Sequence, residues 1–288
     1  MRITLLGTRG SMPAPGRNTA RYGGNTPSVA VRGSDGTLLV LDAGTGICRL
    51  ATDIPADMTR IDILLTHLHM DHIQGLGFFG PIYHPGIEIH IWGPASSTLP
   101  LDARLVRYLS PPLFPVHLHE LPSVTCHDLP CLDFRIGPFS IRARLVCHPN
   151  LTVGYRIEAD GAVLTYLPDH EPALGQRNGQ WRGPEWTSGY ELAQGADLLI
   201  HDAQFTDEQY AERVGWGHST YRHAFEFAAR AGARQVVLFH HDPWNDDVTL
   251  STMLDDAIRR YHPAYQVQCG SEGSVFELGT APASNGAV

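Results

Sequence analysis

The sequence predicts a layered domain of the α/β or α+β class, on three observations. Short apolar runs bounded by Gly, Pro or Asp recur along its 288 residues, and such runs are typical of buried strands. Helical patterns lie between some of these runs, which indicates sheets covered by helices. No repeat, charged linker or low-complexity tract divides the chain, so we expect one domain over residues 1–288.

Ten strands and four helices follow from these patterns. The predicted strands span residues 2–6, 28–32, 37–41, 61–66, 87–92, 139–147, 153–157, 163–167, 198–201 and 235–239. The predicted helices span residues 72–79, 101–108, 219–231 and 250–261. Residues 93–132 are rich in Pro and Leu and poorly periodic, so we expect an excursion over the active face. We expect the last eight residues, 281–288, to form a frayed tail.

Composition narrows the function classes. Hydrophobic residues make up 43% of the chain and charged residues 18%, as in an ordinary globular enzyme. The net charge of −9 argues against a general nucleic-acid binder, because phosphate backbones require a basic footprint. No stretch approaches the ~20 apolar residues of a membrane span. The five scattered cysteines and an N-terminus without the pattern of a cleaved export signal predict a cytoplasmic protein.

The strongest motif is H-x-H-x-D-H, directly after the strand IDILL. Residues two apart in an extended segment point the same way, so His67 and His69 can share one metal ion. Asp71 and His72 fall in the turn that follows, where they can face a second ion. The alternative is a polar surface turn, but that leaves unexplained why four ligand side chains cluster at the end of a buried strand.

Three further ligand types follow predicted strands. His148 comes after FSIRARLVC, Asp169 after AVLTYLP and His240 after QVVLF. Each of them, taken singly, is more often a turn residue with satisfied hydrogen bonds. Their repetition at strand ends favours metal ligation, because one H-x-H-x-D-H motif cannot fill two sites of four or five ligands.

At this point the chain resembles the metallo-β-lactamase superfamily. Within it the chain is similar to the phosphodiesterase branch that contains ribonuclease Z and the phosphoribosyl cyclic phosphate phosphodiesterases. The resemblance runs along almost the whole chain and is carried by these segments: GTRGSMP, YGGNTPS, LVLDAGTG, LLTHLHMDHIQGL, CHPN, YLPDHEP, DLLIHDAQF, GHST and VVLFHHDP. The H-x-H-x-D-H motif within LLTHLHMDHIQGL is specific for the superfamily. DLLIHDAQF and GHST favour the phosphodiesterase branch.

The resemblance implies a four-layer αβ/βα sandwich with metals at the edge where strand-end loops converge. It implies one metal ion on His67, His69 and His148, a second on Asp71, His72 and His240, and Asp169 bridging both. The spacing from GHST favours His240 over its neighbour His241. Zinc is the default for such ligands, with manganese or iron(II) as alternatives. Asp42, Asp202 and Asp242 are candidates to hold the outer nitrogen of a ligand imidazole.

The resemblance also implies a mechanism. Two metal ions about 3.5–4 Å apart can hold a bridging hydroxide that attacks the phosphorus of a diester in line. Asp71 would ligate a metal and orient the nucleophile as a base. His218 of GHST would stabilise charge on phosphate or protonate the leaving oxygen. The alternative for His218 is a structural one, since Ser219 or Thr220 can cap the predicted helix that follows it.

Three function classes remain open at this stage. The first is a phosphodiesterase acting on a small or cyclic phosphate diester. The second is an acyl hydrolase, such as a lactonase or a β-lactamase, which shares H-x-H-x-D-H but has less use for His218. The third is a non-hydrolytic relative, against which the complete ligand set counts.

The expected partner is a small-molecule phosphate diester and not tRNA. Ribonuclease Z carries a basic arm between the segments that match His148 and Asp169, and here only the twenty residues 149–168 separate them. The net charge of −9 points the same way. The sequence indicates no membrane partner and leaves the oligomeric state open, a homodimer included.

Overall fold

Two seven-stranded mixed sheets form the centre of the protein, in a computed structural model that describes residues 1–177 and 179–279. The strands of the chain's first half are β1 Arg2–Gly7, β2 Ser28–Arg32, β3 Leu38–Leu41, β4 Arg60–Leu64, β5 Glu88–Gly93, β6 Val124–Asp128 and β7 Phe134–Ile136. Those of the second half are β8 Phe139–Leu145, β9 Val153–Ala159, β10 Ala162–Leu167, β11 Leu198–Asp202, β12 Gln235–Phe239, β13 Gln266–Cys269 and β14 Val275–Glu277. The α-helices are α1 Met70–Ile73, α2 Leu101–Leu105, α3 Tyr190–Ala193, α4 Asp207–Tyr210, α5 Tyr221–Ala231 and α6 Asp247–Tyr261.

The two sheets repeat one topology. The first has the order β14-β1-β2-β3-β4-β5-β6 and the second the order β7-β8-β9-β10-β11-β12-β13. In each sheet, counted in these orders, the first three pairings are antiparallel and the last three are parallel. Polar residues that the sequence analysis identified follow the carboxyl ends of β3 and β4 in one sheet. Others follow the carboxyl ends of β10, β11 and β12 in the other sheet.

Side-chain alternation along the strands builds the layers. In β12, Val237 and Phe239 face the other sheet, whereas Val236 and Leu238 face α5 and α6. In β3, Leu39 and Leu41 join the same central layer and Leu38 and Val40 face the helices of the first half. Both sheets are therefore apolar on both faces, which requires cover on both sides. The predicted four-layer αβ/βα sandwich is confirmed.

The predicted strands are confirmed, but the structure adds others. All ten predicted strands overlap an observed strand, whereas β6, β7, β13 and β14 were not predicted. These four lie at or next to sheet edges and run for three to five residues with mixed polarity. Their conformation depends on hydrogen bonds to a neighbouring strand, which a pattern within one short segment does not reveal.

The predicted helix over 72–79 is wrong in extent. The structure has α1 over Met70–Ile73 and a separate 3₁₀ turn over Leu76–Phe78. Between them the Gly75 N–H donates to the carbonyl of Ala43, at 2.9 Å, instead of continuing the helix. A side chain at Gly75 would overlap the backbone of Gly44. The end of β3 therefore stops the helix.

Residues 93–132 contain α2 and the edge strand β6 as well as irregular chain. The predicted tail, 281–288, lies outside the described residues. In the described part of the chain, no helix combines the length and the apolarity that crossing a bilayer needs.

Candidate metal centre

His67 and His69 follow the end of β4, and His69 has extended backbone. His67 is buried, and the extended residue His69 is followed at once by α1, which carries Asp71 and His72. The first group of ligand atoms is formed by His67, His69 and His148, all within 4.8 Å of one another. His148 reaches it from the turn after β8, with its Nε2 atom 3.3 Å from His69 Nδ1.

A second group is formed by Asp71, His72 and His240. The Oδ2 atom of Asp71 lies 3.1 Å from His240 Nε2 and 3.4 Å from His72 Nε2. His240 follows β12 with a positive φ of 59°, in the left-handed region. His241 points elsewhere, since its Nε2 atom donates to the carbonyl of Gly270 at 2.9 Å.

Asp169 lies between the two groups. Its Oδ2 atom is 3.7 Å from His148 Nε2 and 3.9 Å from His67 Nε2 on one side. The same oxygen is 3.3 Å from His240 Nε2, and Oδ1 is 3.0 Å from His72 Nε2, on the other side. One carboxylate thus contacts imidazoles of both groups.

These spacings match the edges of a metal coordination shell. Two donors held tetrahedrally at about 2.0–2.1 Å from one zinc ion lie roughly 3.3 Å apart. The observed edges, 3.3 Å between His148 and His69 and 3.1 Å between His240 and Asp71, fall at that value. The donor atoms His67 Nε2, His72 Nε2 and Asp169 Oδ1 are buried and make no hydrogen bond among the described residues. Buried polar atoms without partners indicate a missing ligand, and here a divalent cation fits.

The imidazole tautomers also favour metal ligation. His72 Nδ1 donates to Asp42 Oδ2 at 2.8 Å, and His148 Nδ1 donates to the carbonyl of Gly217 at 2.8 Å. Thr66 Oγ1 donates its only proton to Asp42, so it accepts from His67 Nδ1, 3.0 Å away. In their neutral forms all three rings therefore turn an unprotonated Nε2 atom towards the cluster, as metal ligation requires.

The carboxylates of the cluster are held ionised. Burial by itself raises the pKa of Asp71, but His72 and His240 lower it far below its usual range. The same holds for Asp169, whose pKa is raised by burial and lowered further by His240 and His72. Both groups are anionic at neutral pH, which is the state that binds cations.

Most of the imidazoles are held neutral. Burial lowers the pKa of His67 and of His69, and it lowers that of His148 to about 4. His72 is the exception, because Asp169 and Asp71 outweigh its burial and raise its pKa. A neutral ring next to ionised carboxylates is the protonation pattern of a metal site.

Of the residues predicted to support the ligands, Asp42 does so directly. It is buried, it accepts from His72, and it also accepts from Thr66 and from the hydroxyl of Tyr166 at 3.0 Å. Asp202 instead contacts His218, which is not in the predicted ligand set. The carboxylate of Asp242 accepts from the Trp244 N–H and contacts no ligand imidazole among the described residues.

Glu171 is a buried site residue that the sequence analysis missed. Its carboxylate accepts from the hydroxyl of Tyr210 at 2.7 Å and from the N–H groups of Gly215 and Gly217 at 2.8 and 2.6 Å. Gly217 in turn accepts from His148. Glu171 therefore shapes the loop that holds a predicted ligand and carries His218. The signal was present in YLPDHEP, two residues after Asp169.

The N-terminal loop supports the second group and was also missed. The Ser11 N–H donates to Asp71 Oδ2 at 2.8 Å, and Gln204 Nε2 donates to the Ser11 hydroxyl at 3.1 Å. Gly10 lies directly against His240, so any side chain there would overlap the imidazole. The segment GTRGSMP thus packs on two predicted ligands.

His218 lies at the edge of this cluster. Its Nδ1 atom donates to Asp202 Oδ2 at 2.7 Å, and its ring stacks on His240 with 4.9 Å between centroids. Burial by itself lowers the pKa of His218, but Asp202 raises it, and the net shift is upward. The helix cap is a separate feature, because Thr220 Oγ1 accepts from the His223 N–H at the start of α5.

Comparison with known proteins decides the family. The model of the β-lactamase superfamily domain matches residues 37–241, more than half of the chain. The chain belongs to the β-lactamase superfamily. The resemblance seen in the sequence is confirmed, and so is the prediction of a metal-dependent hydrolase at the level of this family.

Relatives and solved structures of this superfamily match nearly the whole chain. Ribonuclease Z of Myxococcus xanthus is 26% identical and covers 96% of this chain and 98% of its own. The structure of the short form of human tRNase Z has a TM-score of 0.67 at 22% identity and covers 97% and 100%. A diphosphatase of the PhnP family has a TM-score of 0.68 at 18% identity and covers 96% and 97%. These structural matches show the fold.

The prediction that tRNA is not a partner is wrong. Curated relatives that match this chain over 84–96% of its length carry the name ribonuclease Z. A net charge is a sum over the whole surface, whereas binding of a polyanion depends on the local potential near the site. The charge of −9 and the short segment 149–168 therefore do not exclude an RNA.

Proposed function

We propose that this chain is a phosphodiesterase that works with two divalent metal ions. The observation that carries the proposal is Asp169, whose carboxylate lies within 4 Å of imidazoles from both groups. In this proposal His67, His69 and His148 hold one ion, Asp71, His72 and His240 hold the other, and Asp169 contributes to both. Zinc is the default metal for these donors, with manganese or iron(II) as alternatives.

Two ions bound there would lower the pKa of a water molecule and neutralise charge on the phosphate oxygens. Asp71 is the residue that we assign to orienting that water as a base. Its Oδ2 atom accepts from the Ser11 N–H at 2.8 Å, which helps to hold the carboxylate towards the cluster. This assignment makes Asp71 both a ligand and a catalytic residue.

His218 is assigned to the leaving group. Asp202 accepts from its Nδ1 atom, which leaves Nε2 to carry a proton to the departing oxygen, and the Asp202 carboxylate raises the pKa of the ring. The carboxylate that fixes the ring is buried, so the pair is little screened by solvent. An acid that is held in one orientation beside the metals favours a substrate with a poor alkoxide leaving group. A phosphate diester has such a group, whereas an activated acyl substrate does not.

The proposed substrate is a phosphate diester. Assays on several diesters will identify the alcohol groups that it carries. Curated relatives named ribonuclease Z support a polynucleotide, whereas the diphosphatase of the PhnP family supports a small phosphate compound. The metal-loaded protein should therefore be assayed on bis-p-nitrophenyl phosphate, a cyclic nucleotide and a precursor tRNA. In parallel it should be assayed on p-nitrophenyl acetate and a cephalosporin.

The proposal expects the phosphate diesters to be cleaved faster than the acyl substrates, each relative to its uncatalysed rate. The reverse ranking would move the chain to the acyl hydrolases. Elemental analysis of the same preparation should give close to two ions per chain, and one ion or none would remove the two-metal arrangement.

A further inference from the structure

Arg9 is the one arginine among the described residues that is completely buried, and it belongs to neither group of ligand atoms. Burying a guanidinium is costly unless its donors are paired, because the charge loses its hydration. Burial lowers the pKa of Arg9 and the Asp247 carboxylate raises it, but a guanidinium stays protonated in proteins. The contact with Asp247 is long, with 3.9 Å between Nη2 and Oδ1. An ion pair therefore does not account for this buried charge.

Main-chain carbonyls from two distant segments bind the guanidinium of Arg9 instead. Its Nε atom donates to the carbonyl of Gly23 at 2.8 Å. Its Nη1 atom donates to the carbonyls of Asp242 at 3.1 Å and of Asn245 at 2.6 Å. The last two carbonyls belong to the 242–245 loop, which directly follows the candidate ligand at the end of β12. Arg9 thereby holds the chain as it leaves the second group of ligand atoms.

The main chain around Arg9 pairs with the same part of the protein. The Gly10 N–H donates to the carbonyl of His241 at 2.9 Å, and the His241 N–H donates to the carbonyl of Thr8 at 3.0 Å. These hydrogen bonds keep Gly10 directly against the imidazole of His240. The side chain of Arg9 and its neighbouring backbone thus hold the same two segments together.

His240 depends on this packing more than other ligand imidazoles do. Three of the others have an Nδ1 atom within hydrogen-bond distance of a buried oxygen: His67, His72 and His148. The Nδ1 atom of His240 is buried and makes no hydrogen bond with a described residue. Its ring lies against Gly10 and stacks on the ring of His218. The orientation of this imidazole is therefore set by packing, and the position of Gly10 contributes to it.

The next residue of the same loop contacts the other partner in the second group. The Ser11 N–H donates to Asp71 Oδ2 at 2.8 Å, and that oxygen lies 3.1 Å from His240 Nε2. Residues 10 and 11 therefore touch both side chains that would share one ion. Their place relative to the end of β12 is fixed by the hydrogen bonds of Arg9.

We propose that Arg9 is a positioning residue for the second ligand group. Its guanidinium holds the 242–245 loop against residues 9–11, and these residues keep Asp71 and His240 at the spacing that one divalent ion requires. The inference rests on the proposed function for the assignment of that ion. It adds a buried cation that is itself no ligand and that acts through the residues beside it.

Arg9→Met tests this role, because methionine keeps an unbranched apolar stem and removes every hydrogen-bond donor of the guanidinium. In the zinc-loaded protein, competition with a chelator should show one ion bound about 10–100-fold more weakly and the other within about threefold of its native affinity. Arg9→Lys keeps the charge without the planar fork that reaches Gly23 and Asn245 together, so it should show the same selective loss to a smaller extent. If Arg9→Met does not fold, Arg9→Lys provides the test. Equal weakening of both ions, or of neither, would overturn the proposal.

Double variants identify the ligand through which Arg9 acts. His240→Gln should leave one ion, and the addition of Arg9→Met should change the affinity for that ion by less than about threefold, because the ligand that Arg9 positions is gone. His148→Gln should leave the other ion, and the addition of Arg9→Met should weaken it about 10–100-fold. The same additional loss in both backgrounds would contradict a role through His240.

Arg156→Met is the matched control. The Nη1 atom of Arg156, in the middle of β9, donates to the carbonyls of Leu192 and Gln194 at 3.0 and 2.8 Å. Its loss removes a guanidinium from two carbonyls in the same way, so the midpoint of chemical denaturation should fall while both ions keep their native affinity. A selective loss of one ion in this variant, equal to that in Arg9→Met, would reduce the effect of Arg9 to general destabilisation.

Hydrogen exchange separates this inference from the proposed function. In the full chain as purified, the amides of Gly10, Ser11 and His241 should exchange about 10-fold faster or more in Arg9→Met, because their acceptors lie on segments that Arg9 holds together. The amide of Leu65, in the buried core, should keep its native rate. If the native protein binds fewer than two ions, the two-metal proposal fails, and the exchange rates still decide whether Arg9 holds these segments. Native exchange rates at all three amides would overturn the inference alone.

Discussion

Asp202 and His218 form a buried pair in which the carboxylate accepts from Nδ1 at 2.7 Å. Asp202 is fully buried, and its other oxygen accepts from the N–H groups of Ser219 and Gln204, each at 3.0 Å. The carboxylate is therefore fixed before it meets the imidazole, and it sets the tautomer of His218. A histidine that only preceded a helix cap would not require such a partner.

The first prediction concerns His218. His218→Ala should lower kcat for a diester with an alkoxide leaving group by about 10²–10⁴-fold, because a general acid is lost. The loss should shrink with p-nitrophenolate, which needs little protonation. Metal content, measured by elemental analysis, should not change.

Thr220→Ala is the control for that variant. It removes the side-chain cap of α5 and should lower the free energy of unfolding by about 1 kcal/mol while activity remains. If His218→Ala keeps full phosphodiesterase activity and two metal ions, His218 has no part in the reaction.

A second prediction separates His240 from its neighbour. His240→Gln should lose the ion that Asp71 and His72 would share with it, so elemental analysis should fall from two ions towards one. His241→Gln should keep both ions, because the His241 ring bonds to Gly270 and not to the cluster. Asp169→Ala should weaken the binding of both ions. Two ions retained by His240→Gln would contradict the assigned ligands.

A third prediction concerns Gly10. Gly10→Ala should displace the His240 imidazole, since a methyl group at that position overlaps the ring. We expect weaker binding of one metal ion, measured by competition with a chelator, and a lower kcat. Gly80→Ala is the matched control, because no atom lies within 4 Å of the added methyl group. Equal metal affinity in the two variants would show that the N-terminal loop can move away from His240 without weakening metal binding.

The fourth prediction concerns Glu171. In Glu171→Gln the amide nitrogen cannot accept from the N–H groups that the two carboxylate oxygens now bind, so at least one buried donor loses its partner. The free energy of unfolding should fall by about 1–3 kcal/mol. Because the same loop holds His148, metal affinity should fall about 10–100-fold, as for other residues that orient a ligand.

Glu185→Gln makes the corresponding change at an exposed glutamate and should alter neither quantity. Chemical denaturation and chelator competition on both variants provide the measurements. A Glu171→Gln protein with native metal affinity would limit Glu171 to a structural role.

Edge strands mark the limit of what local pattern predicts for this fold. The central strands are continuous apolar runs, because both faces of each sheet are covered, and such runs are visible without a structure. β14 is three residues long and, within the described residues, pairs with β1 alone, so nothing within Val275–Glu277 requires a strand. Pairing with β1 determines that this segment is a strand.

The sequence by itself predicted which residues form the candidate metal site. The seven predicted ligands lie at or just after predicted strand ends, and the resemblance to the superfamily implied that they share two metal sites. The tertiary structure decided how they are held: Asp42 on His72, Ser11 on Asp71, and Glu171 on the loop of His148. These partners are 30 or more residues away from what they support, and long-range hydrogen bonds of that kind leave no periodic signal in the chain.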